Sequence, residues 1–127
     1  MNNIKTINGT DFVKILFLAK DLIFNTKDQI NQLNVFPVPD GDTGTNMYLT
    51  LESALKNLNT IKGQNIDIVS KKIAKNAVLG GRGNSGVILA QILYGLSKGF
   101  DKLNKCDVTL IHHSYPSHLI SVMHHTY

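Results

Sequence analysis

The sequence predicts an all-α protein, a helical bundle. Apolar residues recur at three- and four-residue spacing in successive segments, glycine- and proline-rich runs separate those segments, and no convincing strand pattern intervenes. Of 127 residues, 43% are hydrophobic, enough for one domain with a real core. Asn8, Thr10 and Asp11 offer helix caps, after which Phe12, Ile15, Leu16, Ala19, Leu22 and Ile23 mark an amphipathic helix running to about Leu33. Pro37 and Pro39 then exclude regular helix and stiffen the approach to a turn. Met47, Leu51, Ala54, Leu55 and Leu58 give the apolar face of a second helix starting close to Gly44. Residues 57–67, with Gly63, read as a loop. Ile66, Val69, Ile73, Ala74 and Ala77 define a third helix, stopped by the glycines after Leu79. Asn84 or Ser85 is placed to cap a fourth, whose body over residues 87–96 is apolar nearly all round and therefore expected at the centre.

After about Phe100 the character changes. All five histidines (His112, His113, His118, His124 and His125) and the only cysteine, Cys106, fall there. A zinc site is conceivable from that composition, but the spacings match no standard one, and residues 101–127 read as an atypical, irregular or disordered tail to a domain of residues 1–100. The stretch from Val108 to Ile111 is short and β-branched, and nothing beyond it repeats at helical spacing. A single cysteine makes no internal disulfide, and with no signal peptide or long apolar run the expectation is a cytoplasmic protein without a transmembrane segment. The net charge of +4 comes from twelve scattered lysines and one arginine, with no basic block or aromatic interleaving, so nucleic acid is not an expected partner.

Chemistry concentrates in two segments. The run NVFPVPDGDTGTNM, residues 34–47, sets Asp40 and Asp42 either side of a glycine, and these are two of only nine acidic residues. Carboxylates at i and i+2 in such a turn can converge on Mg²⁺, which takes one or two protein carboxylates and completes its shell with water and substrate phosphate. The run GGRGNSG, residues 80–86, places four glycines, a hydroxyl, an amide and the only arginine before an apolar helix. Glycines admit backbone N–H groups close to an anion, and the following helix start adds unpaired donors and a positive dipole end.

Each segment has a plainer reading. Asp-Gly-Asp is also an ordinary surface turn, and the glycines a tight connection between helices. An EF-hand counted from Asp40 fails, because Gly44, Thr45 and Leu51 occupy its fifth, sixth and twelfth positions. Residues 81–86 satisfy G-x-G-x-x-G, with Asp101 twenty residues beyond Gly81, but a helix rather than a strand leads into them. Met47 and Tyr48 suit a core or rim, and Asn46 the cap of the second helix.

Together the two segments resemble the nucleotide-binding domain of the dihydroxyacetone-kinase-like family, and most closely its branch of ATP-binding components of bacterial fatty acid kinases. The resemblance covers roughly residues 8–100, the first half of that domain. It implies an α-helical barrel-like bundle that binds ATP through Mg²⁺. Asp40 and Asp42 fall on the family's metal-binding aspartates, and Asn34 is the nearest match to a third. Thr43, Gly44, Thr45, Asn46 and Met47 would then line the nucleotide from one side, and Gly81, Arg82, Gly83, Asn84, Ser85 and Gly86 from the other. No catalytic residue is implied beyond these metal and phosphate ligands. The Phe-Pro-Val-Pro approach, and Thr43 where the dihydroxyacetone branch usually carries His, favour the fatty-acid branch. That branch implies Mg-ATP-dependent phosphorylation of a fatty acid held by a separate fatty-acid-binding protein, with a homodimer as the expected full-length form. A dihydroxyacetone-type kinase subunit is the alternative. The family pattern ends near Phe100, so the chain is expected to be truncated, its fourth helix under-buried, its stability poor and its own activity slight; a non-catalytic remnant or binding module is the third reading.

Overall fold

A computed structural model describes residues 6–36, 38–59 and 64–107. The elements run β1 (Thr6–Asn8), α1 (Gly9–Gln32), α2 (Thr43–Ala54), α3 (Ile66–Gly80), α4 (Gly83–Gly99) and β2 (Lys105–Asp107). The architecture is all-α in substance. The two strands, which the periodicity does not foretell, pair antiparallel with Ile7 opposite Cys106. Three residues are too short for an alternation to register, and each strand exists only because the other lies beside it. The stretch from Val108 to Ile111, the histidines, Gly63 and Pro37 lie outside the described residues.

The start of α1 follows the expected chemistry. Asn8 Oδ1 accepts from the Asp11 N–H at 2.8 Å while the Asn8 N–H donates to Asp11 Oδ2 at 3.2 Å, a reciprocal capping box. Its buried face is rotated from the one the spacing suggests. Phe12 and Val13 are buried with Leu16, Phe17 and Ile23 packed behind them, whereas Ile15 and Leu22 are exposed. The apolar residues of α1 exceed one stripe, and neighbouring helices cover only one side.

In α2, Leu51 and Ala54 are buried, as are Leu55 and Leu58 just beyond it; the whole predicted face of α3 is also buried. Both helices pack against all three others, and α4 rests mainly on α2 and α3. The centre of the bundle is therefore α2 with α3, and α4 is peripheral. It buries Gly86, Ala90 and Leu93 but leaves Val87, Ile88 and Tyr94 exposed, so apolarity all round did not translate into a central place. The cap of α4 also differs from expectation: Arg82 holds that position, with Asn84 and Ser85 inside the first turn.

At the base, Phe12 meets Phe100 edge-on at 5.4 Å, and Cys106 is buried in the same cluster. There the Ile66 and Asp67 N–H groups, orphaned at the start of α3, donate to the Asn104 and Leu103 carbonyls at 2.9 and 3.2 Å. The opposite end carries both polar loops.

Candidate functional site

The starts of α2 and α4 lie side by side. Ser85 Oγ donates to the Thr43 carbonyl at 3.2 Å, and the Arg82 N–H donates to Thr50 Oγ1 at 3.1 Å. Thr50, fully buried, in turn donates to the Asn46 carbonyl at 2.8 Å, so one hydroxyl rivets α2 to the glycine loop. Between the two loops opens a cavity of about 320 Å³. Asp40, Asp42, Thr43 and Asn46 line it from the first loop, with Asn34 beneath; Gly83, Asn84 and Ser85 line it from the second.

Two glycines allow this shape. Gly41, between the carboxylates, has φ +68°, and Gly83 has φ +66° with any Cβ there falling 2.3 Å from Asn46 Nδ2. A side chain at either position would be strained.

The remaining residues of the expected nucleotide set lie off the cavity wall. A Cβ on Gly44 would approach the Lys27 carbonyl to 2.5 Å, so this glycine lets α1 and α2 cross closely. Gly86 does the same between α4 and Thr50, at 2.3 Å. Thr45 turns toward α1, where its hydroxyl accepts from Asn31 Nδ2 at 3.0 Å, and Met47 is half-buried on α2. Gly81 closes α3 in extended conformation, and Arg82, exposed, adjoins the cavity through Gly83 without itself lining it.

Asn34 braces the turn from inside. Its Oδ1 accepts from the Asp42 N–H at 3.1 Å and its Nδ2 donates to the Val38 carbonyl at 3.3 Å. The carboxylates of Asp40 and Asp42 make no hydrogen bond or ion pair among the described residues. Two unneutralised carboxylates with amide and hydroxyl oxygens around them form a hard-oxygen donor set that fits Mg²⁺. Phe36 and Val38 form an apolar wall on the same side, and Phe36 is 85% exposed.

Two contributors escape a reading of the sequence. Thr50 looks like any helix-surface threonine, and Asn31 like any polar residue in a last helical turn.

A family model described as the DAK2 domain matches residues 37–126. The chain belongs to the DAK2 domain family. That match runs beyond Phe100, further than the two motifs alone carry a resemblance. Among relatives, an uncharacterized protein of Staphylococcus epidermidis is 40% identical over 105 residues, which cover 83% of this chain and 19% of that protein. An uncharacterized protein of Staphylococcus aureus strain USA300 is 38% identical over 112 residues, covering 88% of this chain and 20% of the relative. The DAK2 chain thus spans about one fifth of the length of these relatives. Its family is a kinase-type, nucleotide-binding one, and in this chain the aspartate turn and the glycine loop converge on the cavity at the paired helix starts.

Proposed function

We propose that this DAK2 domain holds Mg-ATP between its two loops and directs the γ-phosphoryl group to the carboxylate of a fatty acid, presented by a separate fatty-acid-binding protein, giving an acyl phosphate. The observation that carries the proposal is the meeting of the aspartate turn and the glycine loop around one cavity, with neither carboxylate paired among the described residues. Asp40 and Asp42 would hold the metal. Bound there, Mg²⁺ neutralises charge on the phosphate oxygens. Gly83, Asn84 and Ser85 line the opposite side, where amide, hydroxyl and backbone donors, with Asn46 from the first loop, suit the phosphate chain, and the exposed Arg82 stands next in line.

The acceptor's chemistry agrees with what the cavity lacks. A carboxylic acid is ionised at neutral pH, so one carboxylate oxygen can attack the γ-phosphorus directly. The bond from that phosphorus to the bridging oxygen breaks, its electron pair leaves with ADP, and no proton moves. The described cavity walls hold no histidine, lysine or cysteine, so catalysis would rest on alignment and charge. Phe36 and Val38 favour an acceptor with an apolar body over a triose. Dihydroxyacetone, the second reading, needs its hydroxyl proton removed, and among the described residues the carboxylates lining the cavity are the two assigned to the metal. Cytoplasmic residence and a homodimer belong to the same proposal; among the described residues no helix is long and apolar enough to cross a membrane.

Replacing Asp40 or Asp42 with Asn should lower metal-dependent ATP binding by orders of magnitude in calorimetry, and unchanged affinity would refute the metal role. Ser85→Ala should weaken ATP binding by about 1–3 kcal/mol, one phosphate hydrogen bond. Offering fatty-acid-loaded partner protein and dihydroxyacetone in parallel separates the two acceptors. Saturable Mg-ATP binding without turnover on either would identify a binding module.

A further inference from the structure

Asp42 occupies the cap position of α2, yet its side chain caps nothing. An aspartate there ordinarily accepts from the N–H groups of the second and third helical residues. Here those two donors, on Gly44 and Thr45, go instead to Asn31 Oδ1 of the preceding helix, at 2.8 and 3.2 Å. Asn31 Nδ2 secures the arrangement by donating to Thr45 Oγ1 at 3.0 Å. The Asn46 N–H is satisfied within the helix by the Asp42 carbonyl at 2.9 Å. The cap has been moved one helix away, and the carboxylate that would have served as cap faces the cavity.

We infer that Asn31 is a positioning residue that caps α2 in place of Asp42 and so keeps the Asp42 carboxylate available to the cavity's cation. This rests on the Mg-ATP reading of the cavity. Remove the Asn31 amide and two N–H groups lose their acceptor, with the Asp42 carboxylate as the nearest replacement along the chain. A carboxylate turned back onto its own helix start competes with metal binding, while the helix keeps its cap. Asn31 should therefore govern metal affinity far more than stability, the reverse of a structural prop.

The test is calorimetric titration of the protein with Mg-ATP beside thermal melting. Asn31→Ala should bind Mg-ATP about tenfold or more weakly, the equivalent of one or two charge-assisted contacts, with a melt close to that of the wild type. Asn31→Asp presents an oxygen to the same two N–H groups and should restore the affinity. Wild-type affinity in Asn31→Ala overturns the inference, as does equal weakness in Asn31→Asp. Should Asn31→Ala fail to fold, melting of Asp42→Ala decides. If Asp42 caps nothing, that variant melts within a degree or two of the wild type, and a fall of about 4 °C or more, the size of a lost cap, overturns the inference. Absence of saturable Mg-ATP binding by the wild type sinks the metal reading and this one together; wild-type affinity in Asn31→Ala sinks this one alone.

Discussion

Thr50 shows how much a single hydroxyl can organise. Buried, it both donates to the Asn46 carbonyl and accepts from the Arg82 N–H, so the spacing of the two loops depends on it. Thr50→Val keeps the volume but leaves the Arg82 N–H without its acceptor. Denaturant unfolding should show a loss of about 1–3 kcal/mol, with Thr50→Ser close to the wild type. Gly86 stands against the same side chain. A methyl group there would meet Thr50 Oγ1 at 2.3 Å, so Gly86→Ala should force α4 away from α2 and cost about 1–3 kcal/mol in the same measurement.

At the scale of elements, helix ends decide more than helix middles. The capping box at Asn8 sets the first residue of α1, and Asn8→Ala should cost about 1 kcal/mol, read as a lowered melting temperature. A second tie joins α3 to the segment after α4. The Lys71 amine lies 2.6 Å from Asp101 and 2.7 Å from Asp67, while Asp67 also accepts from the Lys102 N–H at 2.9 Å. The hydrogen bond to Asp101, then that to Asp67, holds the Lys71 amine above its ordinary value of 10.5. Asp101, bonded by Lys71, is held below its ordinary 3.8. Stability from Asp101 is present above 3.8 and lost as the pH falls through its lowered value, and that from Lys71 is present below 10.5 and lost as the pH rises through its raised one. Melts of Lys71→Met should therefore differ from the wild type at neutral pH and converge with it in acid. Both partners face water, so high salt should shrink the difference.

On the scale of the whole molecule, the bundle leaves apolar surface uncovered. Leu18 on α1 is 69% exposed, Leu79 on α3 is 78%, and Val87 and Ile88 lie open on α4. Such patches promote association in water. Leu18→Lys with Leu79→Lys should raise solubility and reduce binding of a hydrophobic dye, with Mg-ATP affinity unchanged because neither residue lines the cavity.

Helix number, helix starts to within a residue or two and the buried faces of α2 and α3 could be read from the chain, because spacing and caps act over a few residues. The stacking of α1 and the outer position of α4 could not. An apolar residue such as Leu22 or Ile88 is buried only if a neighbour arrives to cover it, and nothing local records which side that neighbour takes. The same division holds at the cavity. By itself the sequence determined two loops suited to a cation and to phosphate, since Asp40, Asp42 and the glycines declare their chemistry within each run. Only the tertiary structure decided that these loops share one cavity, that Gly44 and Gly86 serve helix crossings, and that Asn31 rather than Asp42 caps α2, because those contacts join residues that only the packing of α1, α2 and α4 brings within reach.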